Sequence, residues 1–151
     1  MIINTDACLM EEGLWGLGET ICNKRGQTIE VHSTRVYDDK DLTAAEAMAM
    51  KISMDHALKE NFNKPEFQSD CKTLVNIMKG VEDIIPKNAA GMHCREIWKM
   101  KAKFDKVKFE HIRREKNIAA YSLARVKDTK GPRFNVLKGN LDQSNGSKAL
   151  L

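Results

Sequence analysis

Three carboxylates, Asp6, Glu46 and Asp70, stand where an acidic side chain calls for an explanation. Asp6 lies within the β-type run Ile2 to Leu9. Aspartate is depleted in strands, and its charge is costly to bury unless a cation or a water-filled cleft meets it. A solvated strand end is the simpler account of that position. Glu46 follows Thr43 at capping-box spacing, where hydroxyl and carboxylate satisfy free amides at a helix start. Asp70 comes after Glu66-Phe67-Gln68-Ser69 and directly before a helical stretch, an N-cap position. Singly, capping explains the last two. Jointly, three carboxylates brought to one place would form a hard-oxygen site suited to Mg²⁺ or Mn²⁺.

The elements decide whether they meet. Ile2 to Leu9 is the first strand, and a glycine-rich stretch around Trp15 leads into Thr20-Ile21-Cys22. Asn23-Lys24-Arg25-Gly26 reads as a hairpin turn, and Gln27 to Ser33 as the return strand. From Thr43 the apolar period becomes helical through Ala47, Met50, Met54, Ala57 and Leu58, until Asn61, Asn63 and Pro65 end it. A short strand over 65–69 precedes a helix from Cys71 to Lys79, closed by Gly80. Val81 to Gly91 is a connector, Met92 to Lys103 a helix, Lys106 to Ile112 a strand, and Asn117 to Asp128 a last helix.

This order predicts an α/β domain with a mixed five-stranded sheet, a three-stranded antiparallel meander plus parallel strands, flanked by helices. In its βαβ unit the first and fourth strands lie side by side and parallel. Their carboxyl ends then face one crevice, where ligands of open α/β sheets bind, and the intervening helix can deliver Glu46 to it. The domain is expected to span 1–129, with 130–151 a polar, disordered tail.

Several blocks carry a resemblance. Asn4-Thr5-Asp6-Ala7, Gly16-Leu17-Gly18, Ala44-Ala45-Glu46-Ala47-Met48-Ala49 and Gln68-Ser69-Asp70-Cys71-Lys72 resemble, in order, the motifs of type 1 ribonuclease H domains. The ending Arg114-Glu115, Asn117, Ala120, Leu123, Ala124 is similar to that of the plant reverse-transcriptase-like subgroup, related to non-LTR retroelements. The resemblance implies a ribonuclease H-like fold and divalent-metal hydrolysis of the RNA strand of RNA/DNA hybrids, leaving 5′-phosphates. It implies that Asp6 bridges two Mg²⁺ or Mn²⁺ ions, with Glu46 and Asp70 on the leaving-group side.

The family's fourth acid falls at Tyr121, and a phenol is a poor Mg²⁺ ligand. Asp128 lies two turns further on, roughly 10 Å away. Glu115 is the other nearby acid, although an ion pair with Arg113 or Arg114 accounts for it. The histidine that many cellular members carry before the last helix is absent, since His111 falls within a strand. Two readings stay open: a ribonuclease weakened by Tyr121, and an inactive module of the same fold that binds nucleic acid or a protein partner.

Composition sets the outer limits. The chain has 151 residues, a net charge of +4 and a pI near 8.9, which permits an anionic partner without requiring one. Lys99 to Lys116 holds eight basic residues against three acids, and Lys106, Lys108, Arg113, Arg114 and Lys116 are the candidates for nucleic-acid contact. No apolar run approaches the ~20 residues of a membrane span. No signal-peptide pattern opens the chain, so a soluble intracellular protein, nuclear or cytoplasmic, is expected. The four cysteines have no zinc-type spacing, so reduced thiols are expected and structural zinc is not. No small-molecule cofactor is expected.

Overall fold

The computed structural model describes residues 1–37, 41–80, 89–126 and 134–138. Three long strands come first: β1 (Ile2–Glu11), β2 (Leu14–Cys22) and β3 (Thr28–Tyr37). They form the expected antiparallel meander. The β1–β2 turn is tight enough to put Gly13 at φ +77°. The β2–β3 turn is built on Asn23, whose Oδ1 accepts from the amides of Arg25 and Gln27 at 2.9 and 3.0 Å.

Helix α1 (Leu42–Lys59) crosses to β4 (Glu66–Ser69), which pairs parallel to β1. Helices α2 (Lys72–Lys79) and α3 (Ala89–Lys101) lead to β5 (Lys108–His111), parallel to β4. A 3₁₀ turn (Arg114–Lys116) introduces α4 (Ile118–Ala124). The five expected strands thus run β3-β2-β1-β4-β5. A sixth, β6 (Phe134–Lys138), pairs antiparallel with β3 at the open edge. It lies in the segment read from sequence as a disordered tail, and a free edge on β3 is the physical reason it finds a place. Residues 139–151 lie outside the described residues.

The two sheet faces are covered differently. Leu17 and Ala7 pack with Ala45 and Ala49 of α1, and Ile3, Ile21 and Phe67 join Met50, Met54, Leu74 and Ile97 in the main core. On the other face α4 approaches β2 closely. A Cβ on Gly16 would lie 1.8 Å from the Ala124 carbonyl oxygen, and one on Gly18 2.1 Å from that of Ala120. Alternation along β2 therefore gives α1 the odd-numbered side chains and leaves glycine where α4 sits. Ser33 Oγ donates to the Leu123 carbonyl at 2.8 Å and Arg35 reaches the Ala124 carbonyl, satisfying the helix's last acceptors.

Several boundaries differ from expectation. The cap of α1 is Asp41, whose Oδ1 accepts from the Ala44 amide at 2.8 Å, so Thr43 and Glu46 do not form a capping box. Cys71, not Asp70, holds the cap position of α2, and its amide is taken by Ser69 Oγ at 3.0 Å. Helix α3 starts at Ala89 rather than Met92, since Ala89 and Ala90 are good helix formers. Helix α4 stops at Ala124, and Asp128 lies outside the described residues. Among the described residues no helix is long and apolar enough to cross a membrane.

The close approach of α4 to β2 is testable. Gly18→Ala pushes a methyl group into a backbone carbonyl that cannot swing aside, and is expected to cost about 1–3 kcal/mol of stability. Urea denaturation reads this, and a variant as stable as the parent would show that the helix can lift away freely.

Candidate metal-binding site

Asp6, Glu46 and Asp70 converge. Each offers a carboxylate oxygen, and these atoms all lie within 4.8 Å of one another. Asp6 is on β1, where the parallel partner β4 ends, and Asp70 follows the last residue of β4. Glu46 is in the second turn of α1, with Ala44, Ala45 and Ala47 around it buried to 0% exposure. Those small side chains let the helix lie close enough to deliver the carboxylate. Its Oε1 accepts from the Ala7 amide at 3.2 Å, which fixes it beside Asp6.

The electrostatics are unusual. Asp6 is fully buried and Glu46 2% exposed. Among the described residues, neither oxygen of Asp6, nor Oε2 of Glu46, meets an N–H or hydroxyl donor. Burial lifts the Asp6 carboxyl from its ordinary value to about 6, with the charge of Asp70 adding to the effect. Glu46 is pushed well above the carboxyl range by burial first and by the neighbouring Asp6 charge next. Two buried acids without a cation relieve their repulsion by sharing a proton. Orphaned oxygens of this kind, beside a third carboxylate, fit a hard divalent cation, which prefers several oxygen ligands.

Tyr121 lies on α4 with the guanidinium carbons of Arg114 and Arg125 at 5.0 and 5.1 Å from its ring centre. Arg114, expected to be free for nucleic acid or paired with Glu115, donates from Nε to Asp70 Oδ2 at 3.1 Å. That pair is open to solvent on the arginine side, at 60% exposure, and such a pair contributes about 0–1 kcal/mol. A cation competing for Asp70 has little to displace.

Asn117 is matched in the sequence as part of the family-like ending, without a role assigned to it. Its side chain is 1% exposed; Nδ2 donates to the Thr5 carbonyl at 2.9 Å and Oδ1 accepts from Asn4 at 3.3 Å. Asn4 also donates to Gln68 at 3.0 Å, so one polar chain ties the start of α4 to β1 and β4. It places Tyr121 one turn further along, through the Tyr121 amide donating to the Asn117 carbonyl. A polar residue just before a short helix was the available signal. Of the basic candidates, Lys106, Lys108, Arg113 and Lys116 are exposed on β5 and the segments flanking it. Lys108 lies within 4.0 Å of Glu66 and Glu110. His111 ends β5 and is exposed.

A family model described as reverse transcriptase-like matches residues 4–127. No curated protein matches the chain. Solved structures share its fold, which is ribonuclease H-like. RNase H1 from the halophilic archaeon Halobacterium salinarum NRC-1 is 18% identical with a TM-score of 0.70, covering 82% of this chain and 92% of that one. The N-terminal RNase H domain of rv2228c from Mycobacterium tuberculosis is 18% identical with a TM-score of 0.73, covering 82% and 88%. LC11-RNase H1, isolated from compost by a metagenomic approach, was solved in complex with an RNA/DNA hybrid; it is 24% identical with a TM-score of 0.71, covering 81% and 91%.

The raised carboxyls set a pH dependence of unusual sign. The folded chain holds a proton on Asp6 where the unfolded chain has released it, so the contribution of that carboxyl is full below about pH 4 and lost as pH rises through about 6. In metal-free protein, Asp6→Asn is expected to raise stability at pH 7 by about 1–3 kcal/mol, with the difference from the parent shrinking towards pH 4. Denaturation of both proteins across that range decides it, and a pH-independent difference would contradict the shared proton.

Proposed function

Since the chain belongs to the reverse transcriptase-like family, we propose that it is a divalent-metal-dependent ribonuclease H-type domain, spanning about residues 1–129, that hydrolyses the RNA strand of RNA/DNA hybrids. The observation that carries this is the convergence of Asp6, Glu46 and Asp70 with three buried oxygens lacking donors. A structural neighbour solved with an RNA/DNA hybrid supports the substrate class. The ending from Arg114 to Ala124 supports the plant retroelement-related subgroup, and four free thiols suit a reducing intracellular compartment.

In this reading Asp6, Glu46 and Asp70 hold Mg²⁺ or Mn²⁺, which when bound supplies charge stabilisation and a lowered water pKa for phosphodiester hydrolysis. The chain's own groups do the positioning. The Ala7 amide holds Glu46 in place, and the polar chain through Asn4 and Asn117 fixes α4 over the site. Arg114, paired with Asp70, and its sequence neighbours Arg113 and Lys116 offer cations to the phosphates flanking the scissile bond, and Lys106 and Lys108 extend that surface along β5. Tyr121 occupies the fourth acid's position, so the side of the site that orients water lacks a carboxylate, and turnover is slow.

The Arg114–Asp70 pair and Tyr121 favour a second reading, an inactive module of the same fold that binds nucleic acid or a protein partner. Cleavage of a labelled RNA/DNA hybrid with Mg²⁺ and with Mn²⁺ separates the two. The nuclease reading expects cutting that falls at least 100-fold in Asp6→Asn and rises tenfold or more in Tyr121→Asp. Folded protein that cuts with neither metal, and gains nothing from Tyr121→Asp, supports the inactive module.

A further inference from the structure

A second cluster of ligand-bearing side chains lies on the α1 face of the sheet, away from the three acids. Glu19 on β2, His32 on β3 and His56 on α1 each place one ligand atom within 4.8 Å of the others. His56 is ten residues beyond Glu46 on the same helix, which separates the two clusters by roughly 15 Å along the axis. Glu19 and His32 are opposite one another in the β2–β3 register. Glu19 Oε1 lies 3.0 Å from His56 Nδ1 and 3.7 Å from His32 Nε2, and Glu30 Oε2 lies 4.0 Å from that same nitrogen. The two imidazoles meet edge to face, with ring centres 4.1 Å apart.

Burial makes this arrangement hard to explain as surface decoration. Glu19 is 3% exposed, His32 1% and Glu30 6%, in a layer otherwise filled by Ile21, Ala57 and Met54. Oε2 of Glu19 is buried and has no hydrogen-bond partner among the described residues. A buried carboxylate with one oxygen unsatisfied is costly. One ion pair with His56 answers for Oε1 only. Two imidazoles and the Glu19 carboxylate converging from three elements, with Glu30 beside His32, form instead a nitrogen–oxygen ligand set of the kind that holds zinc. A tetrahedral zinc ion, with bonds near 2.0–2.1 Å, sets adjacent ligand atoms roughly 3.4 Å apart. The observed 3.0 and 3.7 Å separations bracket that value.

We propose that Glu19, His32 and His56, with Glu30 alongside, form a binding site for a zinc-class divalent transition-metal ion that clips α1 to β2 and β3. The site differs in chemistry from the first: imidazole nitrogen favours zinc, cobalt or nickel over magnesium. Its role is structural. The ion ties the far end of α1 to the sheet, and so holds the helix whose near end delivers Glu46.

The full chain, stripped by chelator, is titrated with Zn²⁺ by calorimetry and with Co²⁺ by visible absorption, in parallel with His56→Gln and Asp70→Asn. The expected result is one tight Zn²⁺ per chain and intense ligand-field bands of four-coordinate Co²⁺, both retained in Asp70→Asn. His56→Gln is expected to weaken Zn²⁺ binding at least tenfold. Side-chain NMR of the parent gives a readout independent of how the variant folds: two of the four histidines, His32 and His56, should shift in slow exchange on adding Zn²⁺. Absence of saturable Zn²⁺ binding overturns the proposal. So does binding that is lost in Asp70→Asn, or that leaves the His32 and His56 rings unmoved.

Discussion

Two carboxyl groups, those of Asp6 and Glu46, are held side by side inside the protein with no basic group between them. Taking one carboxylate out of water costs several kcal/mol even after relaxation, and placing a second beside it adds repulsion. The fold sustains this through constraints that act from every side. The Ala7 amide grips Glu46, buried alanines seat α1 against β1 and β2, and the parallel β1–β4 pairing carries Asp70 to the same edge. Without a cation the pair relaxes by keeping a proton. In the proposed function the same oxygens would serve a divalent ion as ligands, turning a destabilising arrangement into a binding site.

Helix α4 is set by contact on the other face of the sheet. Gly16 and Gly18 let α4 come within carbonyl distance of β2, and Ser33 and Arg35 hold its far end. Asn117 fixes its near end to β1. Helix α4 is only seven residues long, too short to be stable on its own, so these tertiary contacts define where Tyr121 stands. Arg114 pairs with Asp70 and lies against the Tyr121 ring.

Much of this was legible in the sequence, and the misses have physical causes. The switch from a period of two to a helical period after Thr43 located α1, and the βαβ argument brought Asp6 and Asp70 to one edge. The capping explanations for Glu46 and Asp70 failed because caps depend on where a helix begins, and Asp41 and Cys71 shifted both starts by one or two residues. Gly16 and Gly18 matched a motif, but the helix carbonyls they admit belong to residues about a hundred positions away. Glu19, His32 and His56 escaped notice because a zinc search by spacing looks for short cysteine and histidine intervals. Theirs are thirteen and twenty-four residues, joined only by strand pairing and helix packing. β6 went unseen since its polar surroundings carry no period, and an edge strand needs only a free neighbour.

The proposed function requires a divalent cation to have its place among Asp6, Glu46 and Asp70. The most direct measurement is a crystal structure of the protein soaked in Mn²⁺, with data collected to give the anomalous signal of manganese. The account predicts a peak within about 2.0–2.6 Å of oxygens from all three carboxylates, with Arg114 turned away from Asp70. An empty site at saturating Mn²⁺, with the Arg114–Asp70 pair intact and the three carboxylates still converged, would contradict it.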